Sequence, residues 1–236
     1  MIINHDFEYG QGNALLAEAS QILPIASLHA PFFAINGWGN QIQQLEKTVE
    51  LAIDQNIELV NFHPPAWLTM DRKFWRWLNQ IKNFQQQVGN EQVTITIENM
   101  PATGPMGCNP FFLSNTGAMI DFIQRHELYL TFDTAHMGTC KTNFLTDFHH
   151  FYNSGRIRNV HFSDYGNGKE HLLPGHGKLP LTRFLNHLQA TDYDGAITLE
   201  LTPHELPNDE SLICESLRDV YTYLCNETRT ELKNAS

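Results

Sequence analysis

Six residues of metal-ligating type, His29, His63, Glu98, Asp133, His161 and Glu200, each stand at or just past the end of a short run rich in Ile, Val, Leu or Phe. Glu98 follows VTITI, Asp133 follows LYLTF and Glu200 follows AITL. Three carboxylates at the ends of buried apolar strands would repel one another and lose hydration unless a cation or a network of donors compensates them. A divalent metal does so most directly. Mixed carboxylate and imidazole donors suit zinc, manganese, iron or cobalt better than calcium. Taken singly, each residue has a plainer reading, as a hydrogen-bonded histidine, a helix cap or a partner of arginine. The joint pattern is what argues for a centre.

For residues so far apart to meet, the strands that carry them must end at one face. Ile25–His29, Glu58–His63, Val93–Glu98, Tyr129–Asp133, Asn159–His161 and Ala196–Leu201 read as strands. Amphipathic stretches alternate with them: Gln41–Asn56, Asp71–Val88, Thr116–His126, Asn143–Asn153 and Leu181–Gln189, with Ser211–Cys225 closing the chain. Alternating strands and helices predict a parallel sheet, and a parallel barrel gathers all its strand ends at one active face. Ile2–Tyr9 reads as a weaker seventh strand before a helix at Asn13–Ser20, and no eighth is visible. The expected fold is therefore an α/β TIM (β/α)8 barrel, lacking or degenerate in its first strand and helix. Residues 1–226 are expected to form one barrel domain and 227–236 a polar C-terminal tail.

With 236 residues, 42% of them hydrophobic, the chain has the size of one such barrel. Its formal charge of −11, from 15 basic and 26 acidic residues, argues against a main partner with a phosphate backbone or an anionic surface. Cys108, Cys140, Cys214 and Cys225 form no C-x-x-C pair. Neither a secretory signal nor a membrane-length apolar run is visible, so a cytoplasmic protein is expected. A homo-oligomer is compatible with all of this.

The segments SLHAP (27–31), NFHPP (61–65), TIENMP (96–101), FDTAHMG (132–138), NVHFSD (159–164), HLLPGHG (171–177) and ITLEL (197–201) resemble, in order, those of the xylose isomerase-like TIM barrel superfamily of sugar isomerases, ketose epimerases and endonuclease IV nucleases. In the epimerase branch the resemblance implies one metal held by Glu98, Asp133, His161 and Glu200. In the nuclease branch it implies a first zinc on His29, His63 and Glu98, a second sharing Glu98 with Asp133, His161 and Glu200, and a third on His136 and His171 with an Asp two residues before the latter. That last position is Lys169 here, which leaves Asp164 or Glu170 as substitutes.

The expected activity is a metal-dependent sugar or sugar phosphate isomerase or epimerase. Glu98 and Glu200, on opposite sides of a small polyhydroxy carbonyl substrate, would remove and return a proton through a metal-stabilised enediolate. His136, His63 and Lys169 are the candidate substrate-binding residues. Ketohexose epimerases carry an Arg six residues after the metal-bound His, and Asn167 stands there instead, with Lys169 as a replacement charge. Two alternatives stand beside this reading. One is an endonuclease IV-like zinc phosphodiesterase acting on abasic DNA, disfavoured by the acidic balance and by Lys169. The other is a barrel that binds a sugar or metal without turnover.

His149, His150 and His187 read as helix surface, and His126 as a helix-end residue. Phe32, Trp38 and Trp67 follow strand ends, where they can wall a sugar pocket or pack loops. FWRWL (74–78) reads as a helix buried on the barrel, and Thr103–Gly107 as a loop over the site.

Overall fold

The computed structural model describes residues 1–9, 11–67, 72–103, 107–140 and 142–228. A curled sheet runs in the order β1 (Ser27–His29), β2 (Leu59–Phe62), β3 (Thr94–Glu98), β4 (Tyr129–Asp133), β5 (Ile157–Phe162) and β8 (Ala196–Leu199), all parallel; β6 (Asp164–Gly166) and β7 (Lys169–Leu172) pair as a separate antiparallel hairpin. The helices are α1 (Gln11–Ile22), α2 (Gln41–Asp54), α3 (Arg72–Leu78), α4 (Phe84–Gln87), α5 (Thr116–Arg125), α6 (Thr134–Thr139), α7 (Phe144–Asn153), α8 (Leu181–Ala190) and α9 (Glu210–Thr228).

Period-two patterning decides which way each strand faces. Leu28, Val60, Ile95, Ile97, Leu130, Phe132, Val160 and Phe162 are buried in the main core, where Phe84, Phe148 and Phe184 are also buried. The alternate positions carry polar residues and, at the strand ends, the candidate ligands. Asparagine starts several helices, since a carboxamide accepts from the free N–H groups of a first turn. Asn40 does this for α2 in a capping box with Gln43, and Asn83, Asn115 and Asn143 do it for α4, α5 and α7.

Three elements differ from expectation. The Ile2–Tyr9 strand contracts to a parallel bridge between Ile2 and His29, after which Asn4 accepts from the Asp6 N–H and a 3-10 helix covers His5–Tyr9. Only a vestige of a strand thus flanks β1, in keeping with a degenerate barrel. Within the expected Asp71–Val88 helix, Asp71 lies outside the described residues. The rest divides into α3 and α4, because the Gln87 carboxamide accepts from the N–H groups of Lys82 and Asn83 and closes a turn there. At the C-terminus α9 continues through Thr228, so the expected tail boundary at 226 falls inside a helix; residues 229–236 lie outside the described residues. No described helix is long and apolar enough to cross a membrane.

Candidate metal centre

Parallel register brings the strand ends together. Asp133 pairs with His161 across β4 and β5, His29 lies opposite Asn61, and Glu98 lies opposite Thr131. His63 and Glu200 stand one residue beyond β2 and β8. The six residues meet around Glu98, which is fully buried. Its Oε2 lies 3.2 Å from His29 Nε2, 3.5 Å from His63 Nε2 and 3.4 Å from His161 Nδ1, and its Oε1 lies 3.1 Å from His136 Nδ1. His161 Nδ1 is 2.7 Å from Glu200 Oε2 and 3.9 Å from Asp133 Oδ2.

Three groups have ligand atoms within 4.8 Å of one another: His29, His63 and Glu98; Asp133, His136 and His171; and Glu98, Asp133, His161 and Glu200. The last group fits a divalent cation on a second count. Each of its members has a buried atom with no hydrogen-bond partner: Glu98 Oε1, Asp133 Oδ2, His161 Nδ1 and Glu200 Oε2. Buried polar atoms are ordinarily paired, and an unpaired ligand-type atom on every member of one mixed carboxylate and imidazole group matches a transition-metal ligand set.

Electrostatics make the cluster self-opposed without a cation. Burial alone would raise the Glu98 carboxyl, but the imidazoles of His161, His63 and His136 outweigh it and hold Glu98 well below the usual range. Asp133 goes the other way: burial, joined by the charges of Glu200 and Glu98, pushes it up to about 8. Burial works against a charged His136, yet Asp133 and Glu98 push it up to about 10. His161, also buried, is held well above its ordinary value by Glu98 and Glu200. Burial would raise Glu200, but contact with His161 brings it down to about 2, while burial drives His63 down to about 4. Protons thus stand in for positive charge at His136 and His161.

The β6–β7 hairpin, which sequence patterning did not reveal, delivers His171. Its backbone is left-handed (φ 55°), a strained conformation for a residue with a Cβ, and its ring centre lies 5.0 Å from that of His136. Asp164 is not a substitute ligand: its carboxylate accepts from the N–H groups of Tyr165, Gly175, Gly177 and Leu179. Gly177 is required there, because a Cβ would lie 2.3 Å from Asp164 Oδ1. Lys169 is exposed at the start of β7, where its charge acts on Glu205. Glu170, partly exposed, belongs to none of the three groups.

Two residues missed by sequence reasoning, Asn99 and Asn61, hold the cluster in place. Asn99 clamps β4 to the end of β3, accepting from the Asp133 N–H (2.8 Å) and donating to its carbonyl (3.0 Å). Asp133 also caps α6, accepting from the His136 N–H at 2.6 Å. Asn61 donates to Glu98 Oε2. For Asn61 the available signal was a polar residue two places before His63 inside an otherwise apolar strand; Asn99, directly after Glu98 and beyond β3, carried no such signal.

Beside His63 the mouth opens into a cleft of about 240 Å³ walled by Phe32, Phe62, Pro64, Phe74 and Phe111. It shares Phe32, Gln41 and Phe74 with a second cleft of about 470 Å³ that reaches Gln44 and Lys73. Phe32 is 55% exposed and its ring stacks on His63 at 5.3 Å, so it stands at the entrance. Trp38 packs instead on Phe7 and the core, and Trp67 is exposed. His176 is engaged by Glu205 at 2.8 Å, and the tilted rings of His149 and His187 meet between α7 and α8 with centres 4.7 Å apart. Lys141 and most of the Thr103–Gly107 loop lie outside the described residues.

The fold has clear counterparts. A curated relative, an uncharacterized protein of Mycobacterium tuberculosis (strain ATCC 25618 / H37Rv), is 26% identical over 235 residues, covering 86% of this chain and 79% of its own. Among solved structures, a D-tagatose 3-epimerase-like protein superposes with a TM-score of 0.67 at 21% identity, over 97% of this chain and 89% of that one. Endonuclease IV from Thermus thermophilus superposes with a TM-score of 0.61 at 19% identity, over 90% and 80%. The family model for the xylose isomerase-like TIM barrel matches residues 10–220, and the chain belongs to that family.

Proposed function

We propose that this protein is an isomerase or epimerase acting on a sugar or a related polyhydroxy carbonyl compound, with Glu98, Asp133, His161 and Glu200 as ligands of one divalent cation. The observation that carries this reading is the set of four unpaired, buried ligand atoms, one from each of these residues. Manganese, zinc, cobalt or iron suits such a set. When bound, a cation of this kind neutralises oxyanion charge on adjacent substrate oxygens.

The chain's own residues supply the proton chemistry. Glu98 and Glu200 approach from β3 and β8, and both carboxyls are held in the ionised range, so either can accept a proton from carbon. Glu200 is the more accessible, with a quarter of its side chain exposed, whereas Glu98 is 1% exposed at the floor. The carboxylate that removes the proton can return it to the neighbouring carbon; for return to the opposite face of the same carbon, the other carboxyl would first take up a proton from solvent, while the first gives its own back to solvent. His136 commits Nδ1 to the Asn99 carbonyl at 3.0 Å, so donation to a substrate oxygen falls to Nε2. Phe32 and the cleft beyond His63 exclude water and seat the rest of the substrate.

A second reading, metal-assisted phosphodiester hydrolysis, is favoured by one observation: the two further ligand groups on either side of the first, His29–His63–Glu98 and Asp133–His136–His171. Against it, Lys73 is the only Lys or Arg on the two clefts among the described residues, a poor grip for a polyanion. Metal-loaded protein incubated with a panel of aldoses and ketoses in D2O decides between them. Isomerisation predicts solvent deuterium at the carbon next to the carbonyl, lost in Glu98→Gln and Glu200→Gln. No exchange with any sugar, together with two or three bound zinc ions and nicking of abasic duplex, would install the hydrolytic reading.

A further inference from the structure

Directly beneath the candidate ligands lies a second tier of polar side chains. Counting back two residues from each strand-end ligand gives Ser27, Asn61, Thr96, Thr131, Asn159 and Thr198. All six are Ser, Thr or Asn, in strands whose other face is largely apolar. Asn61, Thr96, Thr131 and Asn159 are at most 1% exposed, although buried positions of this kind ordinarily favour hydrocarbon.

The tier is wired rather than merely polar. The hydroxyls of Thr131 and Thr96 are 2.8 Å apart, Thr96 Oγ1 is shared between Asn61 Oδ1 and the Val60 carbonyl, both at 3.3 Å, and the Asn61 carboxamide donates to Glu98 Oε2. On the other side Thr198 donates to Asn159 Oδ1 at 3.1 Å. With the Thr131 hydroxyl as donor to Thr96, each group in the first series donates towards the next, so the series polarises in one direction and ends on the carboxylate. Glu98 itself belongs to two of the three ligand groups, that of His29 and His63 and that of Asp133, His161 and Glu200. Whatever fixes its plane decides whether Oε2 stays beside His29, His63 and His161 while Oε1 stays free.

We infer that Asn61 is a positioning residue for the metal centre: its carboxamide, itself oriented by Thr96, locks the Glu98 carboxylate in the orientation that serves both ligand groups at once. This rests on the reading of the cluster as a metal site, and concerns assembly of the site rather than the reaction. An apolar residue would fit the barrel interior equally well, and would leave the carboxylate free to turn about its last bond.

The test is metal affinity, measured on the full chain with zinc or manganese alone by competition against a chromophoric chelator. Asn61→Leu is expected to weaken binding about 10- to 100-fold, the range typical when a partner of a metal ligand is removed. Thr96→Val, which keeps the carboxamide but frees it to turn, is expected to lose less. The double variant should lose no more than Asn61→Leu, because Thr96 acts only through Asn61. Wild-type affinity in Asn61→Leu overturns the inference, as do additive losses in the double variant. If Asn61→Leu fails to fold, Thr96→Val decides alone, and wild-type affinity there is equally fatal. Wild-type protein that takes up no metal removes the metal reading itself, a result distinct from all of these.

Discussion

His161 Nδ1 and Glu200 Oε2 lie 2.7 Å apart, yet neither is aligned for a hydrogen bond to the other or to any other group. They stand as a close ion pair without hydrogen-bond alignment, an arrangement that a shared cation would also satisfy. Ligands bound about 2.0–2.2 Å from one zinc ion converge in the same manner. The backbone enforces the approach, since the Glu200 N–H donates to the Phe162 carbonyl at 3.2 Å and thereby fastens the end of β8 to β5.

Glu200→Gln keeps the shape of the side chain and removes its charge. Weaker metal binding is expected, with turnover reduced roughly 10²- to 10⁴-fold, the range for loss of a general acid or base. The chelated protein should keep a cooperative melt, because Glu200 sits at the rim, beyond the last residue of β8. Full activity in the purified variant would take Glu200 out of the mechanism.

Metal affinity should rise with pH. Asp133, pushed up to about 8, and His136 and His161, raised by neighbouring carboxylates, hold protons at neutral pH that a cation must displace. The same shifts set the stability of the chelated protein. The raised imidazoles contribute stability that is complete below their unfolded value near 6.5 and is lost as pH climbs towards about 10. Asp133 works in the same direction, since its folded form favours the proton up to about 8. Melting scans from about pH 6 to 9, which span these shifts, should therefore show metal-free protein weakening and metal-loaded protein changing far less. Proton release on titration, read by calorimetry in buffers of different ionisation enthalpy, gives the count directly.

The convergence of the cluster was legible because each of its strand-end members follows an apolar run, and parallel strands leave their ends at one face. Asp133 and His161 needed nothing more than that. What sequence concealed were features without a compositional signature. The left-handed backbone at His171 cannot be read from a histidine, and the turn between α3 and α4 preserves the apolar spacing of Phe74, Leu78, Phe84 and Val88 across the break. Which way Lys169 faces could not be read from spacing along a hairpin; it is exposed to solvent, with its charge acting on Glu205. The weak first strand was visible as weak, and Ile2 makes only a bridge.

Phe184→Ala should unfold the helical side of the core without touching the site. Phe184 is fully buried on α8, with its ring 4.5 Å from that of Phe148 and 5.8 Å from that of Phe132. A cavity there costs about 3–5 kcal/mol. Chemical denaturation should show a lower midpoint with an unchanged slope, and metal affinity of the folded fraction should match wild type.

Asp164→Ala tests how His171 is presented. The Asp164 carboxylate is the common acceptor for the N–H groups of Gly175, Gly177 and Leu179, and it joins the start of the hairpin to the loop that leads into α8. Removing it leaves four backbone donors, that of Tyr165 included, without their partner, at a cost of about 1–3 kcal/mol where they stay shielded from water. His171, held at φ 55° between these anchors, would lose the frame that sustains its strained backbone. Amide exchange at Gly175, Gly177 and Leu179 should accelerate while the β3–β4 amides stay protected. The two-histidine group with Asp133 should weaken towards metal, and the Glu98–Asp133–His161–Glu200 group should not. Equal weakening of both groups would mean that the hairpin supports the whole centre rather than His171 alone.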